Sequence, residues 1–294
     1  MTETVHAAAD IRKRCDAWRA AGARVGLVPT MGALHSGHLS LIEAVRGHGA
    51  GPVVVSIFVN PLQFGAGEDL DAYPRTLEAD LARLRELKVD LVFAPNGAEM
   101  YPDGFQTSVS VNRITSRLEG EERPTHFQGV TTVVNKLFNI VGPCVSAFGQ
   151  KDYQQWRVLC RMVQDLCMPI EVIGCPIVRE SDGLAMSSRN RYLSEGQRKR
   201  ATGIFRGLRA AQDAFMRGER STSKLLAAAR APVAASFDAV DYVSLADAED
   251  LSPIVDDQIR RATVLLAAAR LGETRLIDNT VLGAPPGTTW SHPS

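Results

Sequence analysis

No CxxC pair occurs in this chain, no apolar run approaches the ~20 residues a membrane span needs, and neither sign of charge prevails. Lys plus Arg equals Asp plus Glu at 33 each, so no global field draws the protein toward nucleic acid or anionic lipid. The amino-terminal residues lack a basic-then-apolar signal pattern, and the expectation is a cytoplasmic protein without membrane or nucleic-acid partners. Five cysteines (Cys15, Cys144, Cys160, Cys167, Cys175) are too few, odd in number and too irregularly spaced for a disulfide or zinc framework. Reduced core thiols are expected. No internal repeat is found, and no GxSxG motif or Ser–His–acid order suggests a covalent acyl-enzyme.

What the chain does have is an ordinary globular composition, 45% apolar and 22% charged over 294 residues. Helical spacing recurs at 7–21, 39–49, 76–88, 129–141 and 152–167. Between these lie β-branched or apolar runs at 24–29, 52–60, 89–95, 145–149 and 170–178. Such alternation predicts an α/β fold: a doubly wound, Rossmann-like parallel sheet over residues 1–177, whose ligands gather at the carboxyl ends of its strands. Residues 178–283 read as a smaller α+β domain, with helices at 195–217 and 221–236. Strands follow at 241–247, 262–270 and 274–282, the last two as a hairpin. The tail 284–294 has little to anchor it and is expected to be disordered.

The motifs fall at strand ends. In "VPTMGALHSGH" (28–38) a strand hands over to a helix, and His35 and His38, three apart, share one face of its first turn. Free N–H groups there favour phosphate, and Gly32 and Gly37 let backbone approach a ligand. The alternative is a capped helix with incidental histidines; a zinc site lacks a third ligand nearby. "SIFVNPLQF" (56–64) turns at Pro61, presenting Asn60 and Gln63, amides suited to hydroxyls and a carboxylate, or merely an Asx turn with a surface amide. "FGQKDYQQ" (148–155) offers Lys151 as a mobile charge for phosphate, with Asp152 at a helix start; an N-cap beside a solvated lysine is the alternative. "MSSRN" (186–190) sets two hydroxyls and a guanidinium on a loop able to cover a triphosphate, or else forms a polar linker. His48 reads as a group at a helix C-terminus.

Residues 35–38 resemble the HxGH signature of nucleotidyltransferases and class I aminoacyl-tRNA synthetases. More specifically, "PTMGALHSGH", "SIFVNPLQF", "YPRT", "FGQKDYQQ" and "DGLAMSSRNRYLS", in this order, resemble the pantothenate synthetase (pantoate–β-alanine ligase) family over roughly residues 1–283. The resemblance implies ATP-dependent condensation of pantoate with β-alanine through a pantoyl adenylate, with Mg²⁺ accompanying ATP, in a homodimer formed through the N-terminal domain. It places ATP on Met31, Gly32, Ala33, Leu34, His35, Ser36, Gly37 and His38. Further ATP contacts are implied at Gly149, Gln150, Lys151 and Asp152, at Val178, and at Met186, Ser187, Ser188 and Arg189. Pantoate falls to Gln63, Asn60 and Gln155, with β-alanine adjoining Gln63. Catalysis falls to His38, His35, Lys151, Ser187, Ser188 and Arg189. Asp80 would contribute to the pocket or its metal environment, with a helix-surface role as the alternative, and Ala79 stands where relatives can carry a second acid. Gln150 stands where relatives often carry Glu, and only a modest change in nucleotide affinity is expected. Met31 is a candidate for substrate packing or core, Tyr73 for the pocket or its metal environment, and Arg123 and His126 for loop contact or packing. A transferase that stops at the adenylate, and a nucleotide-binding regulator without catalysis, are the competing readings.

Overall fold

The computed structural model describes residues 2–283 and 289–290. The chain forms two compact units. The first comprises residues up to Gln150, Gln155–Cys175 and Thr289–Trp290, and the second Lys151–Gln154 with the described residues 176–283.

The first unit carries β1 (Glu3–Val5), β2 (Gly26–Thr30), β3 (Val53–Ile57), β4 (Leu91–Phe93), β5 (Cys144–Gly149) and β6 (Ile170–Cys175), all mutually parallel, in the order β1-β4-β3-β2-β5-β6. Helices α1 (Ala8–Ala20), α2 (Ser36–Gly47), α3 (Leu77–Glu86), the short α4 (Gly97–Met100) and α5 (Glu119–Glu122), α6 (His126–Val141) and α7 (Tyr153–Asp165) alternate with them. Apolar and small residues fill both sides of β2, β3 and β5 because helices cover both faces. Val28, Val53, Val55, Val145 and Ala147 pack with Leu41, Ile42 and Val45 of α2 and Leu81 and Leu84 of α3 in one buried cluster. From β2 the chain proceeds outward to β3 and β4, then returns to place β5 on β2's other side. The loops after β2 and β5 therefore flank a topological switch point, where such sheets bind ligands.

Strand β1 does not emerge from the sequence. Its three residues gain their extended form by pairing with Leu91–Phe93, eighty-odd residues away. In the tail, expected to be unanchored, Thr289–Trp290 forms β10, antiparallel to β6 at Ile173 and Val172. The rest of that expectation, 284–288 and 291–294, lies outside the described residues.

In the second unit, β7 (Ala239–Asp247), β8 (Thr263–Leu271) and β9 (Thr274–Leu282) make an antiparallel sheet. The expected hairpin turns at Gly272–Glu273, where Gly272 takes φ +55°, as a two-residue turn requires. The expected helix 195–217 is two, α8 (Glu195–Arg200) and α9 (Gly203–Met216), followed by α10 (Thr222–Ala234). Leu208, Leu225 and Val233 of α9 and α10 bury against Leu265, Ala267 and Leu276 of the sheet.

Four cysteines are buried and one, Cys167, is exposed. Burial pushes the thiols of Cys15, Cys160 and Cys175 up to about 11, and raises that of Cys144 as well. They are core groups, as expected, and poor nucleophiles.

Candidate active site

The β2–α2 loop is shaped by its neighbours. Gly32 and Ala33 both adopt left-handed backbone (φ +82° and +49°), unusual for alanine, and α3 supplies what holds them. Asp80, 2% exposed, accepts the N–H groups of Ala33 (2.9 Å) and Leu34 (2.8 Å), while its Oδ2 also takes the Thr76 hydroxyl (3.1 Å). Arg83 donates to the Leu34 carbonyl. A Cβ on Gly32 would lie 3.1 Å from Asp80 Oδ2 and from Ile57, so the loop is closed against α3. Asp80, which the resemblance places near a metal, has both oxygens engaged by donors of this loop and of Thr76. Among the described residues, no three His, Cys, Asp or Glu side chains are grouped to hold a metal ion.

So clamped, the loop delivers His35 as the N-cap of α2 and His38 as its third residue. The His35 N–H approaches His38 Nδ1 (3.4 Å) and the rings lie 4.0 Å apart between centroids. Two imidazoles and the N-terminus of a twelve-residue helix thus converge, an arrangement that can donate to an anion.

Beside it, the 3-10 turn Pro61–Gln63 follows β3. Asn60 is 1% exposed and fully engaged. Its Nδ2 donates to Gln63 Oε1 (3.1 Å) and the Gly129 carbonyl (3.1 Å), and its Oδ1 accepts from Tyr101 Oη (2.7 Å) and the Leu62 N–H (3.4 Å). An amide has two donors and an acceptor oxygen with two lone pairs, so nothing remains for a substrate. Asn60 thus supports Gln63 in this structure. Burial keeps the Tyr101 phenol neutral by raising its pKa, so it donates. Gln63 directs Nε2 to the Met31 sulfur (3.1 Å) and keeps one amide N–H and one oxygen lone pair uncommitted. The glutamine expected at pantoate and a residue expected at ATP thereby meet.

The carbonyl of Gln63 accepts from Arg123 (3.3 Å) and from His126 (2.9 Å to Nδ1). Burial, aided by the Arg123 charge, lowers the His126 pKa to about 4, so the ring is neutral at pH 7 and its Nδ1 carries the proton it gives to this acceptor-only partner. Arg123 is itself held by Glu68 at 2.5 and 2.7 Å. Burial alone would raise the Glu68 pKa, but the bond and charge of Arg123 outweigh it and hold the carboxyl below its usual value. Helix α6 lies hard against this turn: a Cβ on Gly129 would fall 2.2 Å from the Leu62 carbonyl oxygen. Tyr73, 6% exposed, packs edge-on to Phe64 (6.0 Å). His48 ends α2, its Nδ1 against the Ala44 carbonyl (3.0 Å).

In the second unit, Lys151 and Ser187 line one small cavity with Asn190 and Asp278. The Ser-Ser-Arg loop is ordered locally. Ser187 caps a 3-10 turn, Ser188–Tyr192, by accepting the Arg189 N–H (3.3 Å), and Met186 donates to the Val178 carbonyl (3.0 Å). Asn190 reaches Glu180 (3.0 Å) and the Ala185 carbonyl (3.1 Å), and Arg198 ties Glu180 (2.7 Å) and Asp182 (2.6 Å) together. Gly149 stands at the end of β5, and Gln155 is half-buried on α7.

Sequence reasoning missed Tyr101, Glu68 and Arg83 as supports. Each acts on a residue about forty or more positions away, and no local pattern announces it.

A parallel α/β sheet with paired histidines on a helix N-terminus at its switch point defines a HIGH-type nucleotide-binding protein. The description "Pantoate-beta-alanine ligase" matches residues 3–281. The pantothenate synthetase of Roseiflexus castenholzii is 55% identical over 88% of this chain and 93% of its own. The crystal structure of pantothenate synthetase from Thermus thermophilus superposes with a TM-score of 0.88 at 47% identity, over 95% of this chain and 98% of that one. A pantoate-β-alanine ligase from Francisella tularensis, complexed with β,γ-ATP and β-alanine, is 30% identical with a TM-score of 0.78, covering 98% of this chain and all of that one. The chain belongs to the pantoate–β-alanine ligase family and is a ligase.

Proposed function

We propose that this protein joins pantoate to β-alanine at the expense of ATP. The observation that carries the reading is the contact of Gln63 with Met31, beside the His35–His38 helix terminus: a nucleotide-type loop and a small-acid amide adjoin in one unit. The ATP and β-alanine named with the Francisella relative support both as ligands here. Carboxylates are poor electrophiles, so the pantoate carboxylate first attacks the α-phosphorus of ATP and pyrophosphate leaves. The free amine of β-alanine then attacks the acyl carbon of the pantoyl adenylate, releasing AMP and losing a proton as the amide forms.

In the first step His35, His38 and the first N–H groups of α2 stabilise charge at the phosphates, with His38 the favoured acid–base group. The uncommitted N–H of Gln63 orients pantoate, and Gln155 contributes to the same substrate. Lys151, Ser187, Ser188 and Arg189 hold the α-phosphate and the departing pyrophosphate, acting by position and charge. Mg²⁺ would accompany the nucleotide and would neutralise phosphate charge. A homodimer and a cytoplasmic location complete the reading. Among the described residues, no helix is long and apolar enough to cross a membrane.

Pantoate-dependent ATP–pyrophosphate exchange, followed by β-alanine addition with AMP monitored, tests it. Exchange without pantoate, or a stable adenylate in place of AMP, would contradict it. Removing one preorganised donor typically lowers rate a hundred- to a thousand-fold, about 3–4 kcal/mol, and that loss is expected for His38→Ala and Lys151→Ala.

A further inference from the structure

Lysine is a flexible means of holding phosphate: its four-carbon stem must be ordered before its charge is useful. In the second unit, Lys151 is tied down from a distant strand. Asn279 of β9, 4% exposed, donates its side-chain amide to the Lys151 backbone carbonyl (2.9 Å), fixing the 3-10 turn Gln150–Asp152. The adjacent Asp278, 5% exposed, lines the same cavity as Lys151 and Ser187. It is paired at both oxygens with Arg179, at 2.6 and 3.0 Å. Arg179 is in turn fixed by the Gly183 carbonyl (3.0 Å) and stacks over Phe205 (4.8 Å to its centroid). Asp278 also accepts the Asn279 backbone N–H (2.8 Å), which fixes its carboxylate against β9.

We propose that Asp278 and Asn279 are positioning residues for Lys151: Asn279 anchors its backbone and Asp278 sets the field in which its ammonium rests. Asp278 is already bidentate to Arg179, and the Lys151 ammonium takes its ion pair from Asp152 instead, 3.6 Å from Oδ1, so Asp278 borders the lysine's cavity without capturing its charge. Burial raises the Asp278 pKa, and the bonds and charge of Arg179 oppose that rise.

This inference rests on Lys151 binding phosphate, and the experiment separates the two. Pantoate-dependent ATP–pyrophosphate exchange is measured in the full-length protein carrying Lys151→Ala, Asn279→Ala, and both. Misplacing a group by about 1 Å can lower rate on the order of a hundredfold, so Asn279→Ala is expected to lose about ten- to a hundredfold alone. In the Lys151→Ala background it is expected to lose nothing further. A loss that multiplies in the double variant overturns the positioning role, since a merely structural contribution would persist without the lysine. Wild-type exchange in Lys151→Ala overturns the phosphate reading instead. Should Asn279→Ala fail to fold, the same cycle is run with Asp278→Asn, which keeps size and shape; non-additivity supports the proposal and multiplicative loss refutes it.

Discussion

Removing the Asp80 carboxylate isolates what shapes the β2–α2 loop. Two backbone N–H groups, of Ala33 and Leu34, donate to a carboxylate that is 2% exposed. Hydrogen bonds to a charged group contribute roughly 1.5–3 kcal/mol each, so Asp80→Ala is expected to destabilise the first unit by about 3–6 kcal/mol. For a unit of this size, each kcal/mol lowers the midpoint by about 2–4 °C, giving a fall of roughly 6–24 °C. Asp80→Asn keeps one carbonyl oxygen but turns an NH₂ toward a donor, and about half that loss is expected. Thermal unfolding followed by circular dichroism, beside ATP–pyrophosphate exchange on the folded fraction, reads both effects. The expected result is a lower midpoint together with slower exchange, because Ala33 is no longer held at φ +49° and the histidines lose their placement. A midpoint within ~2 °C of the parent, with exchange restored by raising Mg²⁺, would refute the reasoning and return Asp80 to a metal role.

Other expectations concern the Gln63 support. The His126 pKa is lowered to about 4, so the unfolded chain binds more protons between pH 4 and 6.5. Stability from this residue is complete above pH 6.5 and falls as pH drops toward 4, by about 2 kcal/mol at pH 5; urea midpoints at pH 7 and 5 should show the fall, and His126→Gln should flatten it. Gly129→Ala would push a methyl to 2.2 Å from the Leu62 carbonyl oxygen, and about 1–3 kcal/mol of destabilisation with a raised KM for pantoate is expected, checked by denaturation and steady-state kinetics. Tyr101→Phe leaves the buried Asn60 Oδ1 with only the longer Leu62 N–H bond (3.4 Å). About 1–3 kcal/mol should be lost in urea unfolding, and an unchanged midpoint would show the hydrogen bond to be immaterial.

The alternation of helices and strands is legible because it is local. Buried β-branched runs such as Val53–Ile57 read as strands wherever they occur, and glycine-ended amphipathic stretches read as helices. Where long-range pairing decides, local pattern is silent, as at Glu3–Val5, which is extended only because Leu91–Phe93 receives it. Apolar periodicity places the start of α2 at Leu39; the helix in fact starts at Ser36, because His35 supplies the cap geometry one residue earlier. The expected helix 195–217 breaks at Ala201–Thr202, and the Gly203 that follows is small because a Cβ there would fall 2.3 Å from that of Ser236, a neighbour more than thirty residues on. Likewise in the site, His35 and His38 are visible as a spaced pair. The tasks of Asn60 and Asp80 are not, because an amide or carboxylate in a motif looks the same whether it faces a ligand or a backbone. Only the partners, Tyr101 and Gly129 for one and Ala33 and Leu34 for the other, distinguish the two.

The distribution of thiols makes the protein easy to instrument. Of the five sulfhydryls, four are shielded and reluctant to ionise, whereas Cys167 is open to reagents just past the last turn of α7. A maleimide dye would therefore attach at a single native place without any engineering.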